Sequence, residues 1–177
     1  MGLKGGPTQD EVMAVSLQKL GIRPGDVVAD IGCGTGKVSV AAAGLGAFVY
    51  AVDRRPEAIA YARATAADAG VAEIEFFEGD AVDFLAGAGT LDCAFVGGSQ
   101  RLAEVLDLLA GKVRRTIVVN AVLVETLAEA VSCMQRLGIF REAVHVQVSR
   151  SAELGGGVMF RPQNPVYIIV GGAAACS

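Results

Sequence analysis

Apolar and polar positions along the chain follow two rhythms, and the rhythm changes once. Up to Gly138, short apolar runs take turns with segments whose apolar residues recur every three or four positions. The runs Val27–Ala29, Phe48–Val52, Ile74–Glu78, Leu91–Val96 and Thr116–Asn120 read as strands, the unbroken apolar run Val27–Ala29 as one buried on both faces. Between them the spacing predicts helices over residues 8–20, 37–44 and 56–69, then around Leu102, Val105, Leu106 and Leu109, and around Val124, Leu127, Val131 and Met134. Punctuation agrees with this. Thr8-Gln9-Asp10-Glu11 reads as a capping box with Thr8 as N-cap, Pro56 takes a first helical position, and Gly21, Gly70, Gly111 and Gly138 stand where helices stop. After Gly138, Val144, Val146 and Val148 alternate with polar residues, as in a half-exposed strand. A loop follows over Ser151–Gly157, and Val166–Val170 is the last strand.

Strand–helix alternation closed by a hairpin predicts an α/β fold: a doubly wound, mostly parallel seven-stranded sheet with an antiparallel C-terminal strand. The 177 residues suit one domain over 1–177, and 53% hydrophobic residues are enough for a full core. The net charge of −4 comes without any Lys/Arg block, which argues against nucleic acid as a partner. No apolar stretch is long enough for a membrane span, and Met1–Pro7 does not read as a signal peptide. Cys33, Cys93, Cys133 and Cys176 match no zinc spacing, so no metal is expected; reduced thiols in the cytoplasm are.

Candidate chemistry concentrates at strand ends. Asp30 closes the first strand, and Gly32-Cys33-Gly34-Thr35-Gly36 follows it. Glycines there let a ligand lie against bare main chain. A dinucleotide loop would place a third glycine where Lys37 stands, and an acid before the loop suits a cationic ligand better than a pyrophosphate. S-adenosylmethionine carries an ammonium and a sulfonium and fits that description. Asp53 ends the second strand, where a carboxylate can hold both ribose hydroxyls, and Asp80 in Glu78-Gly79-Asp80-Ala81 ends the third. A dinucleotide-binding or non-catalytic nucleotide-binding protein, a methyltransferase for another small molecule, protein or RNA, and a chain acting mainly as an assembly partner all stay open at this point.

With these motifs the sequence resembles the class I methyltransferases. It is similar in particular to the decarboxylating C15-methyltransferases of cobalamin biosynthesis, which act on precorrin-6 or cobalt-precorrin-6 intermediates. The likeness rests on Gly6-Pro7-Thr8, the loop Asp30–Gly36, Tyr50–Ile59, Glu78–Ala81, Gly97-Gly98-Ser99, Val118–Ala121, Leu123–Thr126 and Asn164-Pro165-Val166. Gln100 and Arg101 stand where relatives often continue with glycine.

The resemblance implies S-adenosylmethionine at Thr8, Asp30, Gly32, Cys33, Gly34, Thr35, Gly36, Asp53, Arg54, Asp80, Ala81 and Gly97. It implies a tetrapyrrole substrate near Gly98, Ser99, Arg101, Asn120, Arg161 and Asn164. It also implies a homo-oligomer of four subunits and a separate enzyme for methylation at C5. A substrate rich in carboxylates needs a local cationic rim on an acidic protein, with Arg101, Arg150 and Arg161 as candidates. An electron-rich ring carbon needs no strong base, so no general acid or base is assigned, and His145 is read as a surface or interface residue.

Overall fold

Fifteen segments of regular structure are laid out in a computed structural model that describes residues 8–98 and 100–172. In chain order they are α1 (Asp10–Leu20), β1 (Val27–Ile31), α2 (Lys37–Gly44), β2 (Phe48–Asp53), α3 (Pro56–Asp68), β3 (Ile74–Glu78), α4 (Ala81–Gly87) and β4 (Leu91–Val96). Then come α5 (Leu102–Lys112), β5 (Val113–Ala121), α6 (Val124–Arg136), β6 (Phe140–Val146), β7 (Ser149–Leu154), β8 (Gly157–Pro162) and β9 (Val166–Gly172).

Seven strands form one sheet in the order β3-β2-β1-β4-β5-β9-β6. Strands β1 to β5 run parallel, and β9 runs antiparallel to both β5 and β6. The expected sheet is therefore present, with its antiparallel strand one place in from the edge. β1 and β4 are neighbours in space with two βα units between them in sequence. Strand order reverses at that point, and the carboxyl ends of strands beside such a reversal leave a crevice.

Alternation along each strand divides the core. Ala29, Ile31, Ala94 and Val96 face Leu85 of α4, Leu102, Leu106 and Leu109 of α5, and Met134 of α6. Val28, Val49, Cys93 and Val118 face Val12 and Leu20 of α1 and Val38 and Ala42 of α2. Each fully buried leucine contributes about 1.5–3 kcal/mol over leaving it in water.

Three expectations need correction. First, α1 begins at Asp10, and its N-cap is Gln9 with no side-chain cap, not Thr8. The Lys37 ammonium accounts for this: it takes the Thr8 carbonyl at 3.0 Å and Asp10 Oδ1 at 2.5 Å, fixing the chain ahead of the helix. Second, Ser151–Gly157 is mostly strand. Gly155 (φ 57°) and Gly156 (φ 81°) make a two-residue turn between β7 and β8, as two successive positive φ values allow. Third, the late alternating strand spans Phe140–Val146, so Val148 lies outside it. Helix α4 was not foreseen, since seven residues are too few to display a helical period. The Gly6-Pro7 opening, Ser99 and Cys176 lie outside the described residues.

Candidate functional site

The loop after β1 is built by alternate backbone signs. Gly32, Gly34 and Gly36 have φ of 77°, 54° and 75°, a region that favours glycine. Close approach adds a second constraint: a Cβ on Gly32 would meet the Gly98 nitrogen at 2.9 Å, and one on Gly36 would meet the Ala62 Cβ at 2.8 Å. The first contact presses the loop against the end of β4, and the second seats α2 on α3. Gly32 and Cys33 both donate N–H to the Val52 carbonyl, tying the loop to β2.

Asp30 lies beneath this loop with 1% of its surface exposed. Its Oδ2 accepts from Ser39 Oγ at 2.5 Å, while its Oδ1 is buried with no partner. Burial raises its carboxyl to about 6, against the opposing hydrogen bonds from Ser39 and with help from the Asp53 charge. The Cys33 thiol is buried too. Burial first, then the Asp30 and Asp53 carboxylates, push it well up, so it stays protonated and is a packing residue rather than a nucleophile.

Asp53 closes β2, and every acceptor position of its carboxylate is engaged. Oδ1 takes the Arg55 N–H and Arg55 Nε, each at 3.0 Å; Oδ2 takes Gly34 N–H at 3.0 Å and Arg55 Nη2 at 2.9 Å. Burial alone would raise this acid. The Arg55 and Gly34 donors outweigh burial and hold it below the usual carboxylate range. Arg55 was not foreseen, and its signal was faint: a residue before proline is confined to extended backbone, here φ −91° and ψ 117°.

A cleft of about 260 Å³ opens at this edge. It is lined by Gly32, Asp53, Arg54 and Arg55 from one side, by Asp80, Ala81 and Val82 opposite, and by Gly97, Gly98 and Gln100 at the end of β4. Of the expected cofactor residues, Gly32, Asp53, Arg54, Asp80, Ala81 and Gly97 line this cleft, while Asp30, Cys33, Gly34, Thr35 and Gly36 lie in or beneath the glycine loop outside its lining. Arg54 is exposed at the rim, and Thr35 is half-buried within the loop. Asp80 is the N-cap of α4, its Oδ1 accepting Val82 N–H at 2.8 Å and Arg101 Nη1 at 3.0 Å.

Residues expected to meet substrate are more dispersed. Arg101 is committed to Asp80 and, through two nitrogens, to Glu104; its φ of 51° is the sole positive value among described non-glycine residues. Asn120, on β5, accepts from Ser16 Oγ at 3.0 Å and leaves its Nδ2 buried without a partner. The Asn164 carbonyl accepts from Gln9 Nε2 at 3.4 Å. Arg161 lies exposed on β8, opposite Arg150 of β7. None of Thr8, Asn120, Arg161 and Asn164 lines the cleft itself. His145 stands exposed on β6, the edge strand, stacked on Tyr167 at 4.9 Å. Among the described residues no group of His, Cys, Asp or Glu is placed to hold a metal ion.

A crevice at the β1/β4 reversal, a glycine loop after β1 and an acid at the end of β2 define the fold of the class I methyltransferases. The chain belongs to the precorrin methyltransferase domain family, whose model matches residues 4–171. It is 46% identical over 176 residues to a protein of Methanosarcina acetivorans named "Probable cobalt-precorrin-6B C(15)-methyltransferase (decarboxylating)", a match that covers 97% of this chain and 96% of the relative. Among solved structures it resembles a precorrin 8W decarboxylase of Methanobacterium thermoautotrophicum, with a TM-score of 0.91 and 35% identity over 95% of this chain and 92% of that one. A precorrin-6y C5,15-methyltransferase of Geobacter metallireducens superposes equally well, with a TM-score of 0.91 and 31% identity over 97% and 94% of the two chains.

Proposed function

We propose that this chain methylates C15 of a precorrin-6 or cobalt-precorrin-6 intermediate, with loss of carbon dioxide from the ring-C acetate, in cobalamin biosynthesis. The observation that carries this reading is the unpartnered Asp30 Oδ1, buried beneath a loop whose glycines a Cβ would block, in a chain of this family. S-adenosylmethionine, when bound, supplies the methyl group on a sulfonium centre.

The residues present fit that ligand. Asp30 offers a buried anionic oxygen to an ammonium. Gly32, Cys33, Gly34, Thr35 and Gly36 present bare backbone, and Asp53 receives the ribose hydroxyls as Arg55 gives way. Asp80, Ala81 and Gly97 border the base, with Arg54 at the rim and Thr8 held close by Lys37. By the family resemblance, Gly98, Ser99, Arg101, Asn120, Asn164 and Arg161 receive the substrate.

Methyl transfer from a sulfonium to carbon is an in-line displacement, so the protein's part is orientation and exclusion of water. The electron-rich macrocycle supplies the nucleophilic carbon. It also accepts the electron pair released when the acetate carbon–carbon bond breaks, so no side chain has to act as a strong base. We also place the protein in the cytoplasm as a homo-oligomer, tetrameric by the family resemblance. No described helix is long and apolar enough to cross a membrane.

The direct test is mass spectrometry of cobalt-precorrin-6B or precorrin-6 intermediates incubated with enzyme and labelled S-adenosylmethionine. The expected product gains one labelled methyl and loses carbon dioxide. Tight binding of S-adenosylhomocysteine without turnover of any such tetrapyrrole would leave the fold intact and refute the substrate.

A further inference from the structure

The hairpin β7–β8 carries an arrangement that its own folding does not explain. Arg150 and Arg161 are paired directly across it. Like charges facing each other across two strands oppose pairing, so the arrangement is favourable only when an anion lies between or beside them. One carboxylate is already there: Glu11 Oε2 sits 2.7 Å from Arg150 Nη2. Arg161 has no ion pair among the described residues.

The two faces of the hairpin differ. Cross-strand partners share a face, so Arg150 and Arg161 lie on the same side as Ala152 and Met159. Those two are half-buried, whereas Val158 and Phe160 on the other side are 77% and 67% exposed. The arginine face is therefore the one turned toward α1. The first turn of α1 is gripped from both directions, with Glu11 on Arg150 and the adjacent Asp10 on Lys37, the first residue of α2 after the glycine loop. β7 and β8 spring from the end of β6 and the start of β9, at the carboxyl edge of the sheet where the cleft opens.

We propose that Arg150 and Arg161 form a subsite for a carboxylate side chain of the substrate, and that Glu11 holds Arg150 in place until that carboxylate arrives. This rests on the reading of the substrate as a polycarboxylate tetrapyrrole. Guanidinium forks match carboxylates in shape as well as charge, and two of them side by side give an acidic protein a local region of the opposite sign. Of the three arginines expected to form a cationic rim, Arg101 is committed to Asp80 and Glu104, which leaves the hairpin pair.

Uroporphyrin, a stable tetrapyrrole with carboxylates around its rim, serves as probe, with a porphyrin bearing neutral hydroxyl-terminated side chains as control. Binding is followed by porphyrin fluorescence, and S-adenosylhomocysteine binding by calorimetry. Arg161→Ala is expected to weaken uroporphyrin about tenfold, the scale of one lost charge-assisted contact. Arg161→Lys should recover part of the loss, and Glu11→Gln should tighten uroporphyrin by freeing Arg150. The neutral porphyrin and S-adenosylhomocysteine should bind all variants alike, which also shows that they fold. Unchanged uroporphyrin affinity in Arg161→Ala, equal losses for the neutral ring, or no preference of the unaltered protein for the acid overturns the subsite while the methyltransferase reading stands. Failure of the unaltered protein to bind S-adenosylhomocysteine removes that reading and the subsite with it.

Discussion

Asp30 has one oxygen bonded to Ser39 and the other bonded to nothing, inside the protein. Its carboxyl titrates near 6, against 3.8 for the ordinary group, because burial penalises the anion. A raised acid retains its proton in the folded state while the unfolded chain loses it. Its contribution is therefore fully present below about pH 4 and is lost as pH rises through about 6, a change of about 3 kcal/mol. Asp30→Asn is expected to be more stable than the parent at about pH 8 and equal to it near pH 4, as read from urea titrations of the ligand-free protein. The same substitution should weaken S-adenosylhomocysteine and flatten the rise in its affinity between about pH 5 and pH 7, because the ammonium seeks the ionised carboxylate. A variant less stable than the parent at both pH values would show that Asp30 is held by contacts other than the one to Ser39.

Between elements, a short ion pair away from the cleft joins β5 to the turn before β1. Nη1 and Nη2 of Arg115 donate to the Asp26 carboxylate, at 2.8 and 2.5 Å, and Nη2 also reaches the carbonyl of Gly21, the C-cap of α1. Asp26 is 6% exposed, and the Arg115 hydrogen bond holds its carboxyl below the usual range in spite of burial. Arg115→Ala should cost about 3 kcal/mol at neutral pH, because a buried carboxylate is left without its cation. A depressed acid stabilises above its unfolded value near 4 and stops doing so as pH falls through the folded one, so the difference from the parent should shrink in acid. Thermal unfolding at several pH values measures both effects.

The parallel half of the sheet was legible because its strands are mostly apolar and the helices between them repeat apolar residues every three or four positions. The hairpin was not, because its glycines read equally as loop and as turn, and an exposed two-stranded ribbon has no buried face to set a pattern. At the site, Gly32 and Asp53, both read from their places at strand ends, line the cleft, and Asp30 lies buried beneath its loop. The engagement of Asp53 by Arg55 and of Arg101 by Glu104 was not legible, since side-chain pairing depends on rotamers that residue order does not encode.

At the scale of the molecule, an isolated two-stranded ribbon is marginal in water, yet β7–β8 projects with Val158, Phe160 and Leu154 exposed. Apolar side chains gathered on one projection mark a contact surface, and a second copy of the chain is the occupant consistent with the oligomer proposed. Replacing Val158 and Phe160 together with serine should convert an oligomer to monomers in sedimentation velocity while leaving S-adenosylhomocysteine binding intact. A parent protein that sediments as a monomer at micromolar concentration would remove the hairpin from that role.

The position of β9 has a consequence for synthesis. β5 and β6 are neighbours only through β9, and β9 is translated after both. A nascent chain that has already assembled its parallel half must therefore wait with two raw strand borders until the stretch ending at Gly172 threads between them. A ribosome stalled shortly before that stretch would hold a sheet with a gap beside β5, the state in which it is most exposed to pairing with a neighbour.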